Sequence, residues 1–222
     1  MSAKRQQMLK MIGTIESDGN YNIMTGGKKV PLTEMTVGQV LEMQSGINGN
    51  TAAGKYQIKE SSLRSLVYKP GKKEGTYSDE LRNPTDFNLD TPFDEAAQDW
   101  AAGALLDRRG FKDFEEGKIS DKELAKNLSQ EWASLPDPDK GSNVSYYGGD
   151  GMHDSPTRVN VDDVYNVLNI MEGRRGELRP QPDPVARESN QRPSPLQGDS
   201  GRPPMRQNAL RGSDINTSRL ER

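Results

Sequence analysis

The chain has 222 residues, of which 31% are hydrophobic, and its mean hydropathy is -0.92. That length suits one domain with an additional segment, but so polar a composition cannot form one packed core throughout. There are no cysteines, which excludes a disulfide framework and thiolate chemistry. No apolar run approaches the roughly 18 residues of a membrane span. We also expect no signal peptide, because the apolar stretch near the N-terminus is short and contains Lys10.

Charge is divided unevenly along the chain. The net charge is -3, whereas residues 173–222 hold ten Arg, no Lys and six acidic residues, a net of +4. The same segment has seven of the 14 Pro and no aromatic residue. This composition predicts a globular domain over 1–172 followed by a tail, 173–222, that is disordered or ordered by a partner. The acidic domain favours no nucleic-acid partner.

The first predicted element is a helix that ends beside a carboxylate. Four apolar residues are spaced i, i+3, i+4, i+7 and therefore share one helical face (Met8, Met11, Ile12, Ile15). The polar turn 18–20 breaks the helix, which puts Glu16 in its last turn. Negative charge at the helix C-terminus and partial burial both favour the protonated carboxyl, which general acid catalysis requires. The alternative is an ordinary glutamate that faces solvent.

Short β elements and two helices follow. Residues 21–30 are predicted as a hairpin that turns at Gly26 and Gly27. Thr36 and Gln39 have the spacing of a capping box, so a helix is predicted over 36–44. A short β segment or loop at 53–58 precedes a helix predicted at about 61–68.

Residues 69–92 are polar and contain Pro and Gly, and we expect little regular structure there. Thr91 and Pro92 predict the N-cap and first residue of a helix that stops at Gly110, with Trp100 facing the core. Ser120 begins another helix, whose spacing places Trp132 in the core. A loop over 136–156 and a last amphipathic helix over 160–172 complete the prediction. The fold class is α+β, with a small β part inserted after the first helix, two lobes and a cleft between them.

Three short blocks carry a resemblance to a known family. The first joins Ile15-Glu16-Ser17 to Tyr21 and the Gly26-Gly27 pair, the second is Ala-Gly-Lys-Tyr-Gln at 53–57, and the third is Trp-Ala-Ser-Leu-Pro at 132–136. Together, in this order, they resemble the phage endolysins of the lambda type and, more broadly, the soluble lytic transglycosylases. The resemblance covers residues 8 to 147.

The resemblance implies a lysozyme-like fold that cleaves the β-1,4 bond between N-acetylmuramic acid and N-acetylglucosamine of peptidoglycan, with a 1,6-anhydromuramic product. The residue matching the family's catalytic acid is Glu16. The protein would then act on the bacterial cell wall from the virion, where the tail 173–222 would bind other virion proteins, or after release from the host cytoplasm. There are departures from the family: the spacing from Glu16 to the glycine pair is shorter, and Ser17 replaces a glycine. The loop 69–92 and the tail beyond Gly173 have no counterpart in it.

Several side chains are candidates for contacts with the sugar. Gln57 offers an amide to an N-acetyl group, and Tyr56 offers a ring and a hydroxyl. The alternatives are a turn residue for Gln57 and a core position for Tyr56. The predicted substrate-binding set also includes Ser17 and Tyr21 of the first block. Tyr146 and Tyr147 of the 136–156 loop are candidate sugar platforms, with packing within the loop as the alternative. Ser17 or Ser134 is expected to hydrogen-bond Glu16 or sugar.

Two other functions remain open. A hydrolytic muramidase would need a second carboxylate roughly 5–9 Å from Glu16, and four residues are candidates (Asp18, Glu34, Glu60, Asp99). A structural or carbohydrate-binding virion protein would keep the fold without activity. We expect no metal or other cofactor, since the single histidine, His153, has no partners at metal-ligand or triad spacing.

Overall fold

The first helix, α1, spans Ala3–Ser17 and ends as its sequence predicts. In the computed structural model, which describes residues 2–46, 51–83, 85–148, 157–171 and 173, one face of α1 is buried. Asp18 then adopts a left-handed conformation, φ 54°, and the Gly19 N–H bonds Gly13 O at 3.0 Å. The left-handed residue turns the backbone out of the helix, which therefore stops directly after Glu16 and Ser17.

A small antiparallel sheet follows α1. Its strands are β1 (Ile23–Met24), β2 (Lys28–Lys29), β3 (Ala52–Ala53) and β4 (Ile58–Lys59), in the order β2-β1-β3-β4. Gly26 and Gly27 both have positive φ, 78° and 79°, which confirms the predicted hairpin turn. The capping box of Thr36 and Gln39 is also confirmed, and it begins α2 at Val37–Ser45.

Residues 69–92 are more regular than predicted. After α3 (Glu60–Val67), strands β5 (Tyr68–Pro70) and β6 (Tyr77–Leu81) form a second antiparallel hairpin. The prediction for the next helix was wrong at its start: α4 spans Glu95–Arg108, and its N-cap is Asp94, which accepts from the Ala97 N–H at 2.8 Å. Pro92 instead forms a β-bridge with Thr36.

The remaining helices are α5 (Phe111–Glu115), α6 (Asp121–Ser129) and α7 (Val161–Met171), of which α5 was not predicted. Trp132 lies beyond the end of α6 but is only 2% exposed, as expected of a core residue. The prediction for Trp100 was wrong: it is 41% exposed, and its ring stacks on Phe87 with centroids 4.5 Å apart.

The architecture is α+β, with the sheet inserted between α1 and the later helices. The core joins the inner face of α1 to α4 and α7. No helix in the described ranges is both long and apolar enough to cross a bilayer. The predicted tail, 173–222, lies outside the described residues except for Gly173. Residues 149–156 of the predicted loop, among them His153, also lie outside the described residues.

Candidate active site

Glu16 opens onto a groove at the junction of α1 and the small sheet. The side chain is partly buried, and the groove has a volume of about 230 Å³. The end of α1 and the β1–β2 hairpin form most of its wall, and two residues from elsewhere in the chain complete it. The end of α1 contributes Glu16, Ser17 and Asp18, the hairpin contributes Ile23, Met24, Gly26 and Gly27, and the remaining two are Gln57 and Arg158. The break in α1 and the glycine turn, both local features of the sequence, therefore shape the same groove.

Ser134 provides the direct partner of the Glu16 carboxyl. Its hydroxyl donates to Oε1 of Glu16 across 118 residues of sequence. The segment that carries Ser134 is anchored, because Trp132 Nε1 donates to the Tyr56 carbonyl at 3.0 Å and Leu135 is buried. The expectation that Ser134 hydrogen-bonds Glu16 is confirmed.

Burial raises the pKa of Glu16 above that of an ordinary glutamate. The hydrogen bond from Ser134 and the positive charges of Arg158 and Lys59 act in the opposite direction, but they do not cancel the effect of burial. The carboxyl therefore keeps its proton to higher pH than an exposed glutamate does, and the same neighbours stabilise the carboxylate once the proton has left.

Arg158 is a site residue that the sequence analysis missed. Its Nη1 donates to the Ile15 carbonyl at 2.6 Å, which satisfies one of the free carbonyls at the C-terminal end of α1. This bond holds a guanidinium beside Glu16. No local signal marks Arg158 in the sequence, because its partner is 143 residues away.

Gln57 owes its place in the groove to a tight turn. Gly54 has φ 76°, and a Cβ there would lie 2.1 Å from Gln98 Oε1, so only glycine fits. Gln57 is itself left-handed, φ 44°, and its Nε2 donates to the Gly54 carbonyl at 2.9 Å. Within the described part of the chain its Oε1 makes no hydrogen bond, and it can accept one from a ligand. Gln57 therefore lines the groove, as predicted for a site residue, and is also part of the turn, which was the alternative prediction for it.

Ser17 lines the groove but does not bond the carboxyl of Glu16. Its hydroxyl donates to the Lys55 carbonyl at 2.7 Å, and the Gly13 carbonyl lies 3.2 Å away. Ser17 therefore ties the end of α1 to the turn that carries Gln57. A contact between Ser17 and sugar stays a prediction.

Tyr21 and Tyr56 lie behind the groove rather than in it. Both hydroxyls donate to Asp99 Oδ1, at 2.9 and 2.7 Å, and Lys55 Nζ donates to the Tyr21 hydroxyl at 2.7 Å. Tyr56 is only 1% exposed, so it occupies the core, as the alternative prediction stated, and its ring presents no face to a sugar. This network instead connects the segment that follows α1, the Lys55 turn and α4.

Only one of the four candidate second carboxylates, Asp18, lines the groove with Glu16. Asp99 is held by the two tyrosines and Lys55. Glu60 pairs with Arg64 at 2.7 Å and accepts from Ser45 at 2.7 Å. Glu34 lines a separate cavity beside α2.

Tyr147 lies in a second cavity, here called the polar pocket, of about 340 Å³. Its hydroxyl donates to the Gln130 carbonyl at 2.7 Å, and Tyr146 packs edge-on against its ring, 5.2 Å between centroids. The pocket is lined mainly by polar and charged side chains (Lys59, Ser61, Ser62, Tyr77, Arg108, Arg109, Gln130, Glu131, Tyr147). Neither tyrosine lines the Glu16 groove, so their proposed role as sugar platforms there is not supported by their positions.

The structure thus brings Glu16, Ser17 and Gln57 together, adds Ser134 and Arg158, and separates the four tyrosines from the groove. No family model, curated protein or solved structure matches this chain.

Proposed function

We propose that this protein cleaves the β-1,4 bond between N-acetylmuramic acid and N-acetylglucosamine in peptidoglycan by transglycosylation, with Glu16 as the acid and base. One observation carries the proposal: the three sequence blocks, distant along the chain, meet at one carboxyl. Glu16 comes from the first, Gln57 from the second and Ser134 from the third. The lysozyme-like fold belongs to the same proposal, and a small sheet that follows the first helix is compatible with it.

The reaction needs one proton and no water. Protonated Glu16 donates to the glycosidic oxygen as the bond from that oxygen to C1 of the muramic ring breaks. The resulting carboxylate then accepts the proton of the C6 hydroxyl, whose oxygen bonds C1 and closes the anhydro ring. Because Oε1 bonds Ser134, we assign the proton to be transferred to Oε2. Arg158 and Lys59 stabilise the carboxylate between the two transfers.

A hydrolytic muramidase is the second candidate, and the position of Asp18 favours it. Asp18 follows Glu16 by two residues and lines the same groove, where it would serve as the second carboxylate. In that reaction water adds to C1, and the product is a reducing muramic acid rather than an anhydro sugar.

Digestion of purified sacculi followed by mass spectrometry of the released muropeptides separates these reactions. We expect products that lack one water relative to reducing muropeptides, at a rate that Glu16→Gln lowers about 1,000-fold and the exposed control Glu42→Gln retains. Products that contain the added water would replace our proposal with hydrolysis. Binding to sacculi without release of any fragment would favour the third possibility, a carbohydrate-binding virion protein without activity.

A further inference from the structure

The polar pocket has an excess of positive charge. Its lining includes three cationic side chains, Lys59, Arg108 and Arg109, against the single carboxylate of Glu131, a net charge of +2. The first turn of α3 also faces the pocket through Ser61 and Ser62, and its N-cap residue makes no capping hydrogen bond through its side chain. Uncapped N–H groups at a helix N-terminus add partial positive charge to that of the side chains.

Glu131 does not neutralise this pocket. Its side chain is only 4% exposed and already accepts from Ser62 at 2.6 Å, Arg108 Nη2 at 2.7 Å and Arg109 Nε at 2.9 Å. These bonds hold the two guanidinium groups in place. A guanidinium has five N–H donors, and Arg108 uses two of them here, the second toward Ser65 at 2.6 Å. Arg108 therefore retains donors for a planar anion such as a carboxylate.

Lys59 is the cation best placed to bind a ligand. Its ammonium lies 5.1 Å from the centre of the Tyr147 ring, and it forms no ion pair with a carboxylate in the described part of the chain. Its charge also acts on the Glu16 carboxyl over a longer distance, and in the absence of a direct ion pair the ammonium can still contact an incoming anion. The pocket thus combines a fixed guanidinium pair with an ammonium that has no carboxylate of the described residues in direct contact.

The polar pocket and the Glu16 groove are neighbours. Gln57 lines the groove and Lys59, two residues later, lines the pocket. Likewise Glu131 lines the pocket and Ser134, three residues later, bonds Glu16. Three residues span at most ~10 Å of backbone. A group attached to a sugar beside the scissile bond can therefore reach the pocket.

We propose that the polar pocket binds carboxylates of the stem peptide that the muramic acid ring carries. The inference rests on the proposed function for the identity of the ligand, since muramic acid is one of the two sugars at the scissile bond. Its stem peptide carries several free carboxylates, which match the +2 charge of the pocket. Recognition of the peptide would hold the muramic ring in register with Glu16 and make peptide-bearing glycan a better substrate than bare glycan.

A binding experiment tests the pocket without requiring cleavage. The probe is the free tripeptide of L-alanine, D-glutamate and diaminopimelate, titrated into the full chain in a calorimeter. We expect binding that Arg108→Gln and Lys59→Gln each weaken about tenfold, as for loss of a hydrogen bond to a charged group. The exposed control Lys112→Gln should not change it. Lys59→Gln breaks none of the bonds to Glu131, so it also controls for a folding defect in Arg108→Gln.

Two controls make the binding experiment specific for carboxylates. The same tripeptide with its carboxyl groups converted to amides should not bind, and raising the salt concentration should weaken binding of the natural tripeptide. Equal binding of the amidated and natural peptides, or no effect of either variant, would overturn the inference. So would the absence of any binding.

Cleavage of two glycans provides the second arm. One substrate keeps its stem peptides, and the other has been stripped of them by an amidase. Arg108→Gln, whose side chain bonds Ser65 and Glu131 and is not among the groups that act on Glu16, should lower kcat/KM on the first about tenfold and leave it nearly unchanged on the second. Equal losses on both substrates would contradict the inference. If neither glycan is cut by the unmodified protein, the proposed function fails, and the tripeptide titration still decides the role of the pocket.

Discussion

Glu16 and Glu131 are two glutamates removed from solvent, and their surroundings give them opposite properties. Burial acts to raise the pKa of both. For Glu16 burial prevails over one hydrogen bond from Ser134 and two nearby positive charges. For Glu131 the hydrogen bonds from Ser62 and Arg108, with the charges of Arg108 and Arg109, outweigh burial and lower the pKa below its usual range. The direct, charge-assisted partners decide whether a buried carboxyl serves as an acid or as a structural anion.

The largest expected effect comes from removing the acid. Glu16→Gln keeps the shape of the side chain but has no proton to donate, and we expect wall-degrading activity to fall about 1,000-fold, within the range for general acid catalysis. The assay is the release of soluble muropeptides from purified sacculi. Glu131→Gln is the comparison, because its effect should be on stability. Unchanged activity of Glu16→Gln would remove this residue from the mechanism.

Glu131→Gln should lower the free energy of unfolding by about 2 kcal/mol, since two arginines and Ser62 would lose a buried anionic acceptor. Urea denaturation followed by circular dichroism measures the change. Glu16→Gln, tested in parallel, should not destabilise the protein. If both variants lost stability equally, the two carboxyls would not differ in the way that their partners indicate.

A smaller effect is expected from Ser134→Ala. The hydrogen bond from Ser134 lowers the pKa of Glu16, so its removal should raise that pKa further. Activity needs the protonated acid and falls as pH rises through this pKa, so the descending limb of the pH profile should move to higher pH. We expect the maximal rate to fall less than about tenfold. The exposed Ser142→Ala is the control, and a limb that stays in place or moves to lower pH would contradict the assignment.

The smallest effect concerns the pH dependence of stability. Because the folded pKa of Glu16 is raised, its contribution to stability is complete below the usual value of 4.5 and is lost as pH rises through the folded pKa. At pH 8 Glu16→Gln should therefore be more stable than the unmodified protein by less than ~1 kcal/mol.

Glu131 should show the reverse dependence. Its lowered pKa contributes stability above 4.5 that is lost as pH falls through the folded pKa. Comparing urea midpoints of both variants with the unmodified protein from pH 3 to 8 measures the two signs. A Glu16→Gln protein that lost stability relative to the unmodified protein as pH rose would contradict the effect assigned to burial.

Much of the fold could be predicted because local signals agreed with one another. The apolar spacing of α1, the glycine turn at 26–27 and the Thr36 capping box each depend on residues less than eight positions apart, and all three are present in the structure. The predictions failed where a contact with a residue distant in the sequence outweighed the local pattern. Pro92 pairs with Thr36 rather than beginning α4, and Trp100 packs on Phe87 at the surface rather than in the core.

For the candidate site, the amino-acid sequence by itself determined that Glu16 ends a helix beside a glycine turn, because helix periodicity and positive-φ turns are properties of neighbouring residues. Only the tertiary structure decided what surrounds its carboxyl. Ser134 and Arg158 reach the end of α1 from 118 and 143 residues away. The burial that raises the pKa of Glu16 arises from packing segments distant in the sequence around it, which no local pattern encodes.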